Sequence, residues 1–479
     1  MREDWIEIEL GKICSVNMGQ SPPSSTYNKD GDGMPFFQGK AEFTELHPVV
    51  EKWCTAPKKT AKNGDILMSV RAPVGSTNIA NIDCAIGRGL AAITYPFGYR
   101  YLWYFLKLIE RKLDNQGTGT TFKAISGSVL KSQIVPIAPL PEQRAIVAKI
   151  EQLFSELDNG IANLKAAKDK LEIYRQAVLK KAFEGELTKE WREQQIDLPT
   201  ADEVLEQIKE ERLKHYENQL TEWEEAVSKW ESNGKQGKKP SKPKRIIKYP
   251  KCKGNQIVFA LARLGEITFQ ISQKFMPEEA PELPFIGMDC IDKNGLEPTF
   301  TYKFKELTSA GNWFNRGHIL YGRLRPYLNK LFLSGYEGIA SGEFIILETI
   351  ESINRKYLLY YLHQQEFVNW SNVQSSGDKP RVKYDQISLK EIPIPSINEQ
   401  TQIVREIESR LSVCDNILTN IGEGLEKCEG LRQSILKQAF EGELLSEEEL
   451  ESCKQEPDWM PAEKLLENIE TQKNSKVRS

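Results

Sequence analysis

Two stretches of the chain place apolar residues at steps of mostly three and four over about 40 residues each. In the first, Ile146, Ile150, Leu153, Leu157, Ile161, Leu164, Leu171, Tyr174 and Val178 form the stripe. In the second it is Ile403, Ile407, Leu411, Cys414, Leu418, Ile421, Leu425, Cys428, Leu431 and Ile435. So narrow a stripe predicts two long helices paired along their length, each roughly 60 Å long at about 1.5 Å per residue. Gly160, Gly422, Gly424 and Gly430 lower helix propensity and predict local breaks. A third amphipathic helix is predicted over residues 201–231, with Leu205, Ile208, Leu213, Tyr216, Leu220, Trp223, Val227 and Trp230 on one face. The segments before the long helices, 1–135 and 257–391, are rich in Gly, Pro and aromatics, with short β-type runs such as GDILMSV and FIIL.

The chain repeats itself. Residue i laid on residue i+257 aligns 136–187 with 393–444 without a gap. Matching pairs are polar as well as apolar: Glu142/Glu399, Gln143/Gln400, Asp158/Asp415, Arg175/Arg432. The pairs run into LKKAFEGELT (179–188) and LKQAFEGELL (436–445), identical at eight of ten positions. Identity of that kind means one structural unit used twice. Ile150, Leu157, Leu164, Phe183, Ile407, Cys414, Ile421 and Phe440 are the candidate scaffold or partner interface. Phe183 and Phe440, bulky residues at matching ends, are expected to anchor the paired helices or to dock one partner subunit each. The segments between the repeats share only a faint frame: NGDILMSVR (63–71) with RGHILYGRLR (316–325), and RGLAAI (88–93) with GEFIIL (342–347). Each ends in a small-residue loop, GTGTTFKA (117–124) or SSGDKPRVK (375–383). A copied scaffold with diverged insertions predicts two domains in equivalent places that recognise different things.

The formal charge of −4 becomes informative only by region. Residues 1–135 sum to +3 and 257–391 to −1, while 233–256 hold nine basic residues and no acid. A nucleic-acid reader needs cations where phosphates lie, not a basic total. The 233–256 stretch reads as a flexible basic linker. Eight scattered cysteines without a Cys-x-x-Cys pair, and only four histidines, exclude zinc-site spacing and suit reduced cytosolic thiols. An apolar run of about 18 residues is absent, and MREDWIEIEL has no apolar signal core. A Walker A loop is also absent. SPPS (21–24) has Ser24 where the amino-methyltransferase motif carries an aromatic. With no catalytic constellation and no metal set, a binding protein is expected.

The whole chain resembles the specificity subunit of type I restriction-modification systems. The motifs that carry the resemblance are VPIAPLPEQRAIVAKIE and IPIPSINEQTQIVREIE, followed by RQAVLKKAFEGELT and RQSILKQAFEGEL, with MGQSPPSSTYN, FFQGK and LYGRLRPYLNK in the intervening segments. The resemblance implies an α+β fold: two α/β target recognition domains joined by two long antiparallel paired helices in a pseudo-two-fold tandem repeat. The blocks would be recognition domain 1 (1–140), helical region 1 (141–196), charged helix and Lys-rich linker (197–256), recognition domain 2 (257–397), and helical region 2 with its tail (398–479). It implies a non-catalytic, cytoplasmic reader of a bipartite asymmetric double-stranded DNA site. Two modification subunits would supply S-adenosylmethionine and adenine methylation, and two restriction subunits ATP- and Mg2+-dependent translocation and cleavage. The alternatives are a coiled-coil scaffold or a divergent self-contained DNA methyltransferase. Arg suits guanine, Gln suits adenine and Lys suits phosphate. The DNA-contact candidates are therefore Gln20, Gln38, Lys40, Arg71, Arg88, Thr120 and Lys123 in the first domain, and Arg323, Arg325, Lys330, Lys379, Arg381 and Lys383 in the second.

Overall fold

The computed structural model describes residues 2–119, 123–237, 239–243 and 259–467. The chain divides into two compact units, residues 1–166 with 421–479, and residues 167–420. These units cut across the linear blocks of the repeat, because each holds one recognition domain and part of both long helices.

In the first unit, Ile6–Glu9 pairs antiparallel with Ile134–Ile137, closing the recognition domain at its base. An antiparallel four-stranded sheet follows in the order Ser15–Met18, Leu90–Thr94, Ile66–Ser69, Thr77–Ile79. The second unit repeats both features. Ala260–Arg263 pairs with Glu391–Ile394, and the sheet runs Thr268–Ile271, Phe344–Thr349, Ile319–Gly322, Leu331–Leu333. The sequences of these domains differ, but in both the two central strands are short apolar runs buried almost throughout, and the same strand order results twice.

A second sheet of five short strands in each domain is where they diverge. Both are built on a parallel pair, Phe36↔Ala85 in the first and Phe285↔Ile339 in the second. In the first domain the short strand Tyr27–Asn28 adds beside Trp53–Cys54. Its counterpart Lys274–Phe275 adds instead beside Gly311–Phe314, at the opposite edge.

The first long helix spans Leu140–Phe183 and the second Ile397–Glu441. The four glycines do not interrupt them, which corrects the sequence expectation of local breaks. Each costs about 1 kcal/mol relative to alanine, and packing of the apolar stripe outweighs that. Gly424 also makes room: a Cβ there would stand 3.3 Å from Leu164 Cδ1. Within the first unit the helices run antiparallel, with Arg432 bonded to Asp158. Within the second unit Arg175 bonds Asp415. Those two ion pairs are the same pair, since 175 and 432, like 158 and 415, differ by the repeat length.

The repeated decapeptide is now explicable. Gly185 (φ +78°) and Gly442 (φ +81°) adopt the left-handed conformation that ends a helix. Glu186 N donates to Lys181 O at 3.0 Å, and Glu443 N to Gln438 O at 2.9 Å, the matching closing bonds. Just before each glycine comes the phenylalanine. Phe183 (7% exposed) packs edge-on against Tyr357 and Tyr361, and Phe440 (6%) against Tyr101 and Phe105. Burying such a ring stabilises a core by about 1.5–3 kcal/mol. Both rings are therefore anchors of a long helix to a recognition domain, with little of either left exposed for a partner subunit.

The Glu-Gln dyad at each helix start is buried. Gln143 accepts from Tyr95 Oη at 3.0 Å and donates to Ala138 O at 2.8 Å. Gln400 accepts from Asn354 N at 2.8 Å and donates to Ser352 O at 3.0 Å. The glutamates are satisfied differently. Glu399 accepts from Thr188 Oγ1 (2.7 Å) and Arg192 Nε (2.8 Å), whereas Glu142 accepts from Trp5 Nε1 at 2.8 Å. Trp5 precedes Leu10 by the same five residues as Phe259 precedes Leu264. Phe259 has no donor and lies instead beneath the Arg192 guanidinium, 4.9 Å from it.

The central helix, Ala201–Ser232, opens with a capping box of Thr200 and Glu203 and buries Val204 and Ile208. Glu211 accepts from Ser352 N and Oγ, and His215 stacks on Phe269 at 3.7 Å. Beyond it the first described residues of the basic stretch fold back onto the helix. The chain reverses through left-handed Gly234, Lys235 and Gly237, and the Trp230 and Trp223 indoles donate to Gly237 O and Pro240 O. Lys239 and Lys242 lie over those same two rings. The rest of the basic stretch, 244–258, is outside the described residues.

Candidate nucleic-acid interface

At one end of the first recognition domain the backbone ties three turns together. Val70 N donates to Gly89 O (2.9 Å), Ile125 N to Val70 O (3.0 Å), and Ala72 N to Lys123 O (2.9 Å). Thr118 N donates to Ala124 O, and Ala124 N donates back to Thr118 O. Gly87 N to Phe37 O and Gln20 N to Ile86 O bring the neighbouring turns onto the same platform. Glycine at 89 is required by this approach, since a Cβ would lie 2.4 Å from Gln38 O.

The second domain builds the same ladder from other residues. Arg323 N donates to Glu343 O (2.9 Å), Val382 N to Arg323 O (3.1 Å), and Arg325 N to Pro380 O (2.7 Å). Ser376 and Arg381 exchange both backbone bonds, closing the loop at its base. Bond by bond, Val70 corresponds to Arg323, Ala72 to Arg325, Gly89 to Glu343 and Ala124 to Arg381.

The candidates of the first domain gather on this platform. Gln20, Gln38, Lys40, Arg71, Arg88 and Lys123 are exposed. Thr120 lies outside the described residues. Arg71, Arg88 and Lys40 make no ion pair among the described residues, while Lys123 Nζ holds Asp114 Oδ2 at 2.9 Å. That bond, with Val74 N donating to the other oxygen, keeps the Asp114 carboxyl below the usual range.

In the second domain the candidates separate into bound and free. Lys330 Nζ donates to Met288 O at 2.7 Å, and Arg381 grips Glu343 with Nε (2.9 and 3.2 Å) and Nη2 (2.7 Å). Arg381 thereby holds the Glu343 carboxyl low, with Arg323 and Lys379 adding to the effect. Arg323 is half-buried, and its Nε has no hydrogen-bond partner among the described residues. Arg325, with φ +51°, and Lys379 and Lys383 are exposed and make no ion pair among the described residues. The platform can thus present several uncommitted cations in each domain, the requirement for meeting phosphates and base edges.

The scaffold candidates lie elsewhere. Ile150 and Ile407 are in the two unit cores, Cys414 and Ile421 are buried, and Leu157 and Leu164 are half-buried along the helices. Sequence reasoning missed Glu343 and Asp114, whose significance lies in the candidate cations they hold, Arg381 and Lys123. Among the described residues no group of His, Cys, Asp and Glu is arranged to hold a metal ion, and no helix is long and apolar enough to cross a membrane.

Comparison with known proteins bears on this geometry. The model of the type I restriction modification DNA specificity domain matches residues 2–166 and 257–427. The EcoDI type I restriction enzyme specificity subunit of Escherichia coli is 26% identical over 98% of this chain and 95% of its own length. The MjaX type I restriction enzyme specificity subunit of Methanocaldococcus jannaschii is 40% identical, over 39% of this chain. The chain spans only 44% of that relative's length. The crystal structure of the HsdS subunit from Thermoanaerobacter tengcongensis shares the fold at a TM-score of 0.54, with 17% identity over 92% of this chain and 98% of that one.

Proposed function

Since the chain belongs to the type I restriction-modification DNA specificity family, we propose that it is the sequence-reading subunit of such a complex and carries no catalytic residue. Each recognition domain reads one half of a bipartite, asymmetric double-stranded DNA site through its loop platform. The observation that carries this reading is the doubled backbone ladder: one framework, presenting different free cations in each copy. Two unlike readers give a non-palindromic target, with each base pair adding about 1–3 kcal/mol of discrimination.

Arg71 and Arg88 in the first domain, and Arg325, Lys379 and Lys383 in the second, are the best placed DNA contacts, with Gln20, Gln38 and Lys40 beside them. The repeated scaffold suits a pair of identical partners, because equivalent faces bind equivalent subunits. Two modification subunits bring S-adenosylmethionine and methylate adenine; two restriction subunits bring ATP and Mg2+. The complex acts in the cytoplasm.

The test is to express the chain with its modification partner and map methylated adenines genome-wide. One split, asymmetric motif is expected, and exchanging residues 1–135 for those of another reader should change one half only. Methylation by the chain alone, or a motif unaffected by that exchange, rejects the reading.

A further inference from the structure

We propose that Arg381 and Lys123, each at the base of its domain's small-residue loop, are positioning residues that clamp those loops, while DNA is met by their uncommitted neighbours. The inference rests on the loops being the DNA face.

Arg381 offers its fork to Glu343, with three bonds of 2.7–3.2 Å onto both carboxylate oxygens. Glu343 takes the Nε/Nη2 edge of the guanidinium, and Nη1 donates to Lys379 O at 3.4 Å, so both edges of the group are turned to partners within the loop corner. The ion pair sits on the corner that the backbone already closes, since Glu343 O accepts from Arg323 N and Arg381 shares two bonds with Ser376. The clamp also neutralises Glu343, a carboxylate that would otherwise repel approaching phosphate.

The first domain cannot use this pair. Its corresponding corner holds Gly89 and Ala124, and at Gly89 any side chain collides with Gln38 O. Its loop is held instead by the adjacent residue, Lys123, reaching Asp114 at 2.9 Å. Asp114 Oδ1 in turn accepts from Val74 N at 3.4 Å, linking the loop to the turn after Arg71. Each domain therefore spends one cation of its loop on an internal acid, from adjacent positions of the shared ladder and through different partners.

The experiment uses the full chain with its modification partner and a duplex bearing the sequence that the complex methylates. Arg381→Ala and Glu343→Ala should both weaken binding by about tenfold. Both should also raise amide exchange over residues 376–383 in the DNA-free complex. The exchange-of-charge double variant Glu343→Arg/Arg381→Glu should recover most of the affinity with the same target sequence. Asp114→Asn should in the same way raise exchange at the Thr118 and Ala124 amides, which pair with each other. If Arg381→Ala weakens binding while Glu343→Ala binds normally and free-state exchange is unchanged, Arg381 is a DNA reader and the proposal fails. Arg325→Ala and Lys379→Ala distinguish the deeper failure: if they too leave affinity intact, the platform is not the DNA face, and both readings fall.

Discussion

Arg175 donates to Asp415 across the antiparallel helices of the second unit. Its repeat image, Arg432 to Asp158, does the same in the first. Both pairs are partly exposed, so each is worth only about 0.2–1 kcal/mol. Double-mutant cycles on the two pairs should give similar coupling energies in thermal or denaturant unfolding. A coupling present in one unit and absent in the other would show that the scaffold is duplicated in sequence but not in energetics.

Phe183→Ala and Phe440→Ala should each cost about 3–5 kcal/mol, the penalty for emptying a buried aromatic site. Limited proteolysis should find Phe440→Ala loosening the first unit and Phe183→Ala the second. Unaltered cleavage at both sites would remove the anchor role.

The two buried glutamates predict unequal sensitivities. Arg192→Ala strips Glu399 of its charged donor and should cost about 2–4 kcal/mol, allowing for partial exposure of the arginine. Trp5→Phe keeps the ring and removes the donor to Glu142, for about 1–3 kcal/mol. Denaturant midpoints measure both, and a neutral Trp5→Phe would mean that Glu142 finds its partner elsewhere.

Acid should destabilise the second unit. Burial pushes the His363 imidazolium down to about 4, helped by the nearby Arg175 charge. An unfolded histidine titrates near about 6.5, so between these values the unfolded chain binds more protons. The contribution is fully present above about pH 6.5 and is lost as pH falls toward 4, to a limit of about 3 kcal/mol. Burial lowers His215 and His318 in the same direction. His363→Leu should flatten the stability profile over that window; an equally steep profile would assign the acid sensitivity to other groups.

The scaffold was legible in the sequence because it was written twice, at polar positions as well as apolar ones. Periodicity located both long helices, and the faint frame around Arg71 and Arg323 located the equivalent turns. What periodicity could not show was pairing. Arg381 and Glu343 are 38 residues apart, so the type of charge was visible while its partner was not. The same limit applies to the short strands Tyr27–Asn28 and Lys274–Phe275. Two residues carry no signal for which sheet edge they join. The fold-back of the chain at Gly237 and Pro240 was not legible either, because it rests on the Trp230 and Trp223 indole N–H groups finding carbonyls that composition does not mark.

The discontinuous first unit has a consequence for biosynthesis. Its core around Leu10, Leu102 and Ile150 includes Leu436, Phe440 and Leu465, whereas the second unit is one unbroken stretch. A ribosome releases the first recognition domain earliest, yet that domain lacks part of its interior until nearly 300 further residues have been translated. The reader made first is the one completed last, and its nascent form exposes the apolar surface that a chaperone would have to cover.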